Sequence, residues 1–364
     1  MITTILQQDF DYSLLKLSEV EKNKLKDATI LVTGCAGFLG YYLLNFLNNK
    51  SDVFGFRKII ALDNYILERP KWIDELSENN KFDIRKFDIV NDSLDVLCDI
   101  ESVDYVVHMA SIASPTYYRS HPIETIEANV LGLKKLLDYY KNKNLRGFLF
   151  FSSSEIYGDP TPEAIPTDEE YRGSVSCTGP RACYDESKRI GETLCRVYAD
   201  KFDMPIGVVR PFNNYGPGMR LDDKRVVADF SHAAINNSDI VVLSDGMATR
   251  TFCYISDAIV GYLKILLHGD YGYYNIGIDS DEISVVQLAE LYKKIAEELL
   301  NYKGEIVFRQ SDDKDYLTDN PSRRRPNIDK ARKILGYDPE ISVQDGVRRL
   351  LLHLKEIEKV SQIW

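Results

Sequence analysis

The sequence predicts an α/β protein, a doubly wound parallel sheet followed by a smaller, mixed α/β C-terminal region. Three observations predict it. Between residues 28 and 210, short β-forming apolar runs alternate with helical stretches. At the head of that stretch, Thr29-Ile-Leu-Val-Thr33 runs into Gly34, Gly37 and Gly40 and then into the helical Tyr41-Tyr-Leu-Leu-Asn-Phe-Leu47. After Pro211 the alternation loosens into shorter pieces punctuated by Gly and Pro, as in Asn213-Asn-Tyr-Gly-Pro-Gly218. The expected organisation is an N-terminal extension (1–27), a sheet domain (28–210) and a C-terminal region (211–364), with residues around 250–268 packing back on the sheet.

The extension is rich in Leu, Lys and Glu, and Ser18-Glu-Val-Glu21 has the pattern of a capping box opening a surface helix or an oligomer contact. The first strand then ends where Gly34 allows a tight turn. Gly37 lets the backbone approach a diphosphate, and Gly40 lets the new helix pack close to the sheet. Phe38 and Leu39 open that helix, whose amides and positive dipole end face the phosphates. This is the pattern of a Rossmann dinucleotide site. A second strand, Lys58–Leu62, runs into Asp63 and Asn64, and Asp63 lies 23 positions after Gly40, where a carboxylate accepts from a ribose hydroxyl. An acid there repels a 2′-phosphate, so the cofactor is expected to be NAD. Further strands are expected at 83–87, 105–108, 147–151 and 206–210. Asp88 and Ile89 follow the third, where they either bracket an adenine or form a solvated loop. Ala110 follows the fourth, among small residues that suit close passage past a cofactor.

Composition narrows the function. The 364 residues are 44% hydrophobic and 28% charged, enough for a sizeable core, and the net charge of −11 argues against binding nucleic acid or anionic membranes. No apolar run is long enough to span a bilayer, and the polar, acidic N-terminus does not read as a signal peptide. The six cysteines (Cys35, Cys98, Cys177, Cys183, Cys195 and Cys253) contain no CxxC pair and the histidines no HExxH, so no metal site is expected and reduced cytoplasmic thiols are.

The chemistry points to Tyr184 and Lys188. Spaced by four in a helical stretch, they share one helix face. A lysine ammonium there is expected to stabilise tyrosinate, so that the phenol acts as a base near neutrality. Tyr12/Lys16 and Tyr139/Lys143 repeat the spacing by chance. What singles out Tyr184 is Ser152-Ser-Ser-Glu155 at a strand end, where a hydroxyl can share a substrate alcohol's proton and so drive hydride from a sugar carbon to nicotinamide.

Four stretches carry a resemblance: Ala110-Ser-Ile-Ala-Ser-Pro115, Ser153-Ser-Glu-Ile-Tyr-Gly-Asp-Pro160, Gly179-Pro-Arg-Ala-Cys-Tyr-Asp-Glu-Ser-Lys-Arg189 and Arg323-Arg-Arg-Pro-Asn-Ile328. With the glycines and the Tyr/Lys pair, they make residues 28–350 resemble the extended short-chain dehydrogenase/reductase family of nucleotide-sugar enzymes, and within it the UDP-glucuronate decarboxylases. The resemblance implies Tyr184 as base, Lys188 as its partner and ribose ligand, and Ser153 in place of the usual threonine near the sugar's 4-hydroxyl. Glu155 matches the decarboxylases' acid, and Arg324 a basic residue at the substrate carboxylate. Ser154 stands where dTDP-glucose dehydratases carry Asp. The implied substrate contacts are Ser114, Tyr118, Asn213, Arg225, Arg250 and Arg324, although Tyr117 and Arg119 depart from the decarboxylases' Asn-Tyr-Met pattern. A UDP-sugar substrate and a homodimer are implied as well. Dehydratase, 4-epimerase or oxidoreductase chemistry shares the same C4 oxidation, and a non-catalytic NAD-binding regulator is the reading from another class.

Overall fold

The inner strands form because their apolar and β-branched residues are buried on both faces, as a parallel strand requires, while the edge strand Phe82–Lys86 buries only Phe82. In the computed structural model the expected strands are Thr29–Thr33 (β1), Lys58–Asp63 (β2), Phe82–Lys86 (β3), Tyr105–His108 (β4), Gly147–Phe151 (β5) and Ile206–Pro211 (β6). A seventh, Gly272–Ile276 (β7), pairs with β6 and completes an all-parallel sheet in the order β7-β6-β5-β4-β1-β2-β3. The structure describes residues 2–97, 99–311 and 318–360, with side chains to residue 357 at the C-terminal end; Cys98 therefore lies outside the described residues.

Alternate side chains of each strand feed two different cores. Ile30, Val32, Ile59, Ala61, Val107, Leu149 and Phe151 face one side, under the helices Phe38–Asn49 and Ile255–His268. Leu31, Ile60, Leu62, Val106, Phe148, Phe150 and Val208 face the other, under Leu133–Tyr140 and Ala182–Phe202. The strand order reverses at β1, which lies between β2 and β4, so the loops after β1 and β4 leave in opposite directions and open a crevice at the strands' carboxyl ends.

Beyond β6 the chain builds the second wall of that crevice. Thr249–Arg250 pairs antiparallel with Ile283–Ser284 and parallel with Arg323–Arg324, which sets Arg324 directly opposite Arg250. The helix Ile255–His268 packs on β5, β6 and β7. The Ser18–Glu21 capping box is present and its helix, Glu19–Lys24, buries nothing. The preceding helix, Thr4–Leu15, is more than a surface element: it buries Leu6 and Phe10. Its Asp9 accepts hydrogen bonds from Tyr254 Oη (2.7 Å) and Arg349 Nη1 (2.6 Å), and Thr3 Oγ1 lies 2.8 Å from His353 Nδ1.

Candidate active site

A continuous cleft of about 1440 Å³ runs from the glycine loop to the Arg250/Arg324 pair. At its glycine end, the three glycines do separate jobs. Gly34 sits at φ +72°, and a Cβ there would lie 2.5 Å from the Ala110 amide nitrogen. A Cβ on Gly40 would lie 2.1 Å from the Cys35 carbonyl oxygen, so the helix Phe38–Asn49 seats directly on the turn. Gly37 differs: its Cβ would clash with no protein atom, the nearest being the Gly34 carbonyl oxygen at an ordinary contact distance of 3.7 Å. It caps the helix without a side chain, leaving the first-turn amides available to an anion.

Asp63 ends β2 in the same cleft, accepting from Ala36 N (2.9 Å) and Tyr65 N (2.8 Å). Burial raises the pKa of its carboxyl, and those two amides oppose the shift. Asn64 donates weakly to Asp88 (3.4 Å), whose carboxylate also organises its own loop by accepting from Val90 N and Asn91 N. Phe38, Leu39, Ile89 and Ala110 line the cleft beside them, and Ser111 Oγ is buried with no protein partner among the described residues. An open cradle over Gly37, an uncapped helix start and a carboxylate at the next strand end fit a dinucleotide.

At the other end, the helix Ala182–Phe202 presents Tyr184 and Lys188. Both are buried, and Lys188 Nζ donates to Phe151 O at 2.7 Å, 5.6 Å from the Tyr184 ring. Ser153 Oγ accepts from Glu155 N at 3.2 Å, and its hydroxyl favours the ionised form of the phenol. Tyr118 stacks on Tyr184 with centroids 5.1 Å apart and planes 13° apart, and its hydroxyl has no partner among the described residues. One expectation changes: burial pushes the Tyr184 phenol up to about 12, against the Ser153 hydroxyl, and pushes Lys188 down to about 7. In the protein alone the lysine is therefore held near neutrality by its own burial, and its field does not bring the phenol down.

Arg324 grips Glu155 with two parallel hydrogen bonds of 2.7 and 2.5 Å. Arg181 pairs with the same carboxylate and stands 3.7 Å from Asp185. Burial works to raise the Glu155 pKa, but the Arg324 and Arg181 charges outweigh it and keep the group ionised. Burial and the Glu155 charge instead raise Asp185. Burial and the facing Arg324 charge push Arg250 down to about 9. The local balance is three guanidiniums against one firmly ionised carboxylate.

The remaining expected contacts line the same cleft but have protein work of their own. Ser114 Oγ donates to Asp223 O (3.0 Å), Asn213 Nδ2 to Thr251 O (2.8 Å), and Arg225 Nε to Asp223 (2.7 Å). Arg250 donates to Thr249 O (2.7 Å) and to the 320–322 loop. The other two Tyr/Lys pairs lie elsewhere: Tyr12 bonds Asp257, and Lys143 covers the Tyr139 ring. Arg181 is the residue that reading by motif passed over. Its signal is its place three residues before Tyr184 and four before Asp185, on the active face of the helix.

A family model described as the NAD dependent epimerase/dehydratase family matches residues 30–277. The chain belongs to that family. As a member it is an NAD-dependent enzyme. Among curated relatives, it is 36% identical over 320 residues to UDP-glucuronic acid decarboxylase 3 of Arabidopsis thaliana, covering 87% of this chain and 86% of that one. It is 34% identical over 343 residues to UDP-glucuronic acid decarboxylase 1 of Xenopus tropicalis, covering 94% and 75%. Among solved structures, it resembles the UDP-glucuronic acid 4-epimerase of Bacillus cereus in complex with UDP-glucuronic acid and NAD, with a TM-score of 0.71, 26% identity and coverage of 90% and 99%. The family's NAD suits the cradle over Gly37, and its sheet of seven parallel strands is the expected doubly wound fold. Among the described residues no group of His, Cys, Asp and Glu could hold a metal ion, and no helix is long and apolar enough to cross a membrane.

Proposed function

We propose that this enzyme is a UDP-glucuronate decarboxylase. The observation that carries the reading is the surplus of buried positive charge beside Tyr184. Arg181 and Arg324 share the one ionised carboxylate of Glu155, and each keeps a buried Nε with no hydrogen-bond partner among the described residues. A neutral sugar leaves that surplus uncompensated, whereas a sugar carboxylate completes it. The relatives named above support the same reading.

In this reading Tyr184 takes the proton of the sugar's 4-hydroxyl, with Ser153 holding the oxygen in line. When bound, NAD supplies the positively charged nicotinamide that accepts the C4 hydride and later returns it. The C4 ketone lies β to the C6 carboxylate, so carbon dioxide leaves as the electrons enter an enolate. Arg324 and Arg181 orient that carboxylate, Glu155 fixes both guanidiniums, and protonation at C5 followed by return of the hydride gives UDP-xylose. Lys188 braces the Tyr184 helix against Phe151 O and faces the cofactor ribose. Asp63 faces the adenosine ribose, with Asn64, Asp88 and Ile89 about the adenine. Ser114, Tyr118, Asn213, Arg225 and Arg250 line the path of the nucleotide and its phosphates.

The finer setting follows from the surface. Ile123, Ile126 and Leu131, together with Ile190 and Val197 on the Tyr184 helix, are exposed apolar side chains on adjoining elements. A second copy of the chain covering them gives a homodimer, and sedimentation of the purified protein tests it. The described cysteines are all free thiols, which agrees with a cytoplasmic enzyme.

Mass analysis of nucleotide sugars after incubation with UDP-glucuronate and NAD tests the function. Loss of carbon dioxide with a UDP-pentose product is expected. A product of unchanged mass and inverted C4 identifies a 4-epimerase, and untouched substrate overturns the reading.

A further inference from the structure

Glu155 and Arg324 come from segments 169 positions apart, one following β5 at the sheet's carboxyl end and one in the C-terminal wall. Their own bidentate bond lies in the cleft, where a substrate acid competes for it. Something outside the cleft must hold the two segments in register. The candidates are buried polar groups that touch both segments and line neither the cleft nor the surface.

One node meets that description. Asn275, fully buried near the end of β7, uses both side-chain donors and its oxygen: Nδ2 donates to Thr167 O and Asn327 O, each at 3.0 Å, and Oδ1 accepts from Tyr157 Oη at 2.7 Å. Its backbone amide donates to the Glu169 carboxylate at 2.9 Å. Asn327 lies three positions after Arg324, and its segment is laced to Thr167 by Thr167 N→Arg325 O (2.9 Å) and Asn327 N→Thr167 O (2.8 Å). Tyr157 ends the short helix Ser154–Tyr157 that carries Glu155, and its oxygen also accepts from Arg210 Nη1 at 2.8 Å. Arg210 in turn holds Glu192 through Nε (2.9 Å) and Nη2 (2.6 Å), and Glu192 accepts from Ser152 Oγ at 2.5 Å, one residue before Ser153. Tyr184, Lys188 and Glu192 occupy one face of the same helix at spacings of four.

We propose that Tyr157 and Asn275 are positioning residues, a buried hinge-pin that fixes the Glu155 segment against the Arg324 segment. Neither touches substrate or cofactor. They act through Glu155 and Arg324, and the proposal rests on those two residues working on the substrate acid. Removing the Tyr157 hydroxyl leaves Arg210 Nη1 and Asn275 Oδ1 each short of a partner in a buried place, so the segments relax relative to one another. A small misplacement of groups that orient a substrate is enough to slow turnover by about ten-fold or more.

The test is a double-mutant cycle on kcat/KM with Tyr157→Phe and Glu155→Gln, read well below the melting temperature of every variant. Tyr157→Phe is expected to lower kcat by about ten-fold with little change in KM for NAD. In the double variant, Tyr157→Phe should add less than about two-fold to the loss from Glu155→Gln. Losses that multiply, or a Tyr157→Phe enzyme at the wild-type rate, overturn the proposal. Should Tyr157→Phe fail to fold, Asn275→Ser against Arg324→Lys provides the same cycle from the other segment: losses that fail to multiply support the hinge-pin, and losses that multiply overturn it. A wild-type enzyme inert toward UDP-glucuronate counts against the substrate assignment alone. The cycle then runs on whichever nucleotide sugar reduces the nicotinamide.

Discussion

The two ends of the cleft are built on opposite principles. The cofactor end comes from one short stretch of chain, residues 34–40, with a single acid from the next strand, and its shape is backbone: Gly34 and Gly40 are places where a Cβ has no room. The sugar end is gathered from four distant segments around Ser153, Tyr184, Arg250 and Arg324, and its character is charge. The first is a shape that a family can keep while its chemistry changes. The second sets the chemistry through which side chains meet, so substitutions at the two ends should fail in different ways.

Tyr184→Phe should break the sugar end most completely, lowering kcat by about 10³-fold while NAD binding, followed by fluorescence titration, stays within two-fold. Glu155→Gln should lower kcat by about 10²-fold and also reduce Tm, because Arg181 and Arg324 lose the carboxylate that compensates them in a buried place. Gly40→Ala attacks the opposite end. With the new Cβ against the Cys35 carbonyl, it should destabilise the fold by about 1–3 kcal/mol in chemical denaturation and weaken NAD binding and turnover together.

The smallest effect is a dependence on pH. Burial lowers Lys188 from the ordinary value of 10.5 to about 7, so the unfolded chain binds more protons than the folded one between those two values. The lysine therefore destabilises the folded state fully below about pH 7, and that penalty fades as pH rises toward 10.5. The gain in Tm of cofactor-free Lys188→Met over the wild type should be larger at pH 6 than at pH 9. A gain that grows with pH contradicts the buried, depressed lysine.

Legibility followed the same division. The glycine loop, Asp63 and six of the seven strands could be read because each is local, a short β-forming run or a fixed spacing. The seventh, Gly272–Ile276, escaped because residues 212–254 build the cleft wall between β6 and the next helix and interrupt the alternation. At the sugar end, motif positions supplied Tyr184, Lys188, Ser153, Glu155 and Arg324, and the structure brings all five together. Arg181 and the Tyr157–Asn275 node were not legible, since a salt bridge or a buried amide is defined by what it meets across the fold. The helix Thr4–Leu15 hid for the same reason: Asp9 reads as a solvated acid until Tyr254 and Arg349 surround it.

That first helix has a consequence for how the protein is made. It docks on Tyr254, Arg349 and His353, and the last two belong to the helix Val343–Val360, so its contacts wait for a segment translated 340 or more positions later. The nucleotide-binding sheet can form on the ribosome before that segment is made, but the clasp closes only after His353 has emerged. A stop codon before Arg349 would yield a chain whose opening helix has lost two of its polar anchors, an outcome that pulse-labelled protease protection would display as late-arriving resistance at the amino terminus.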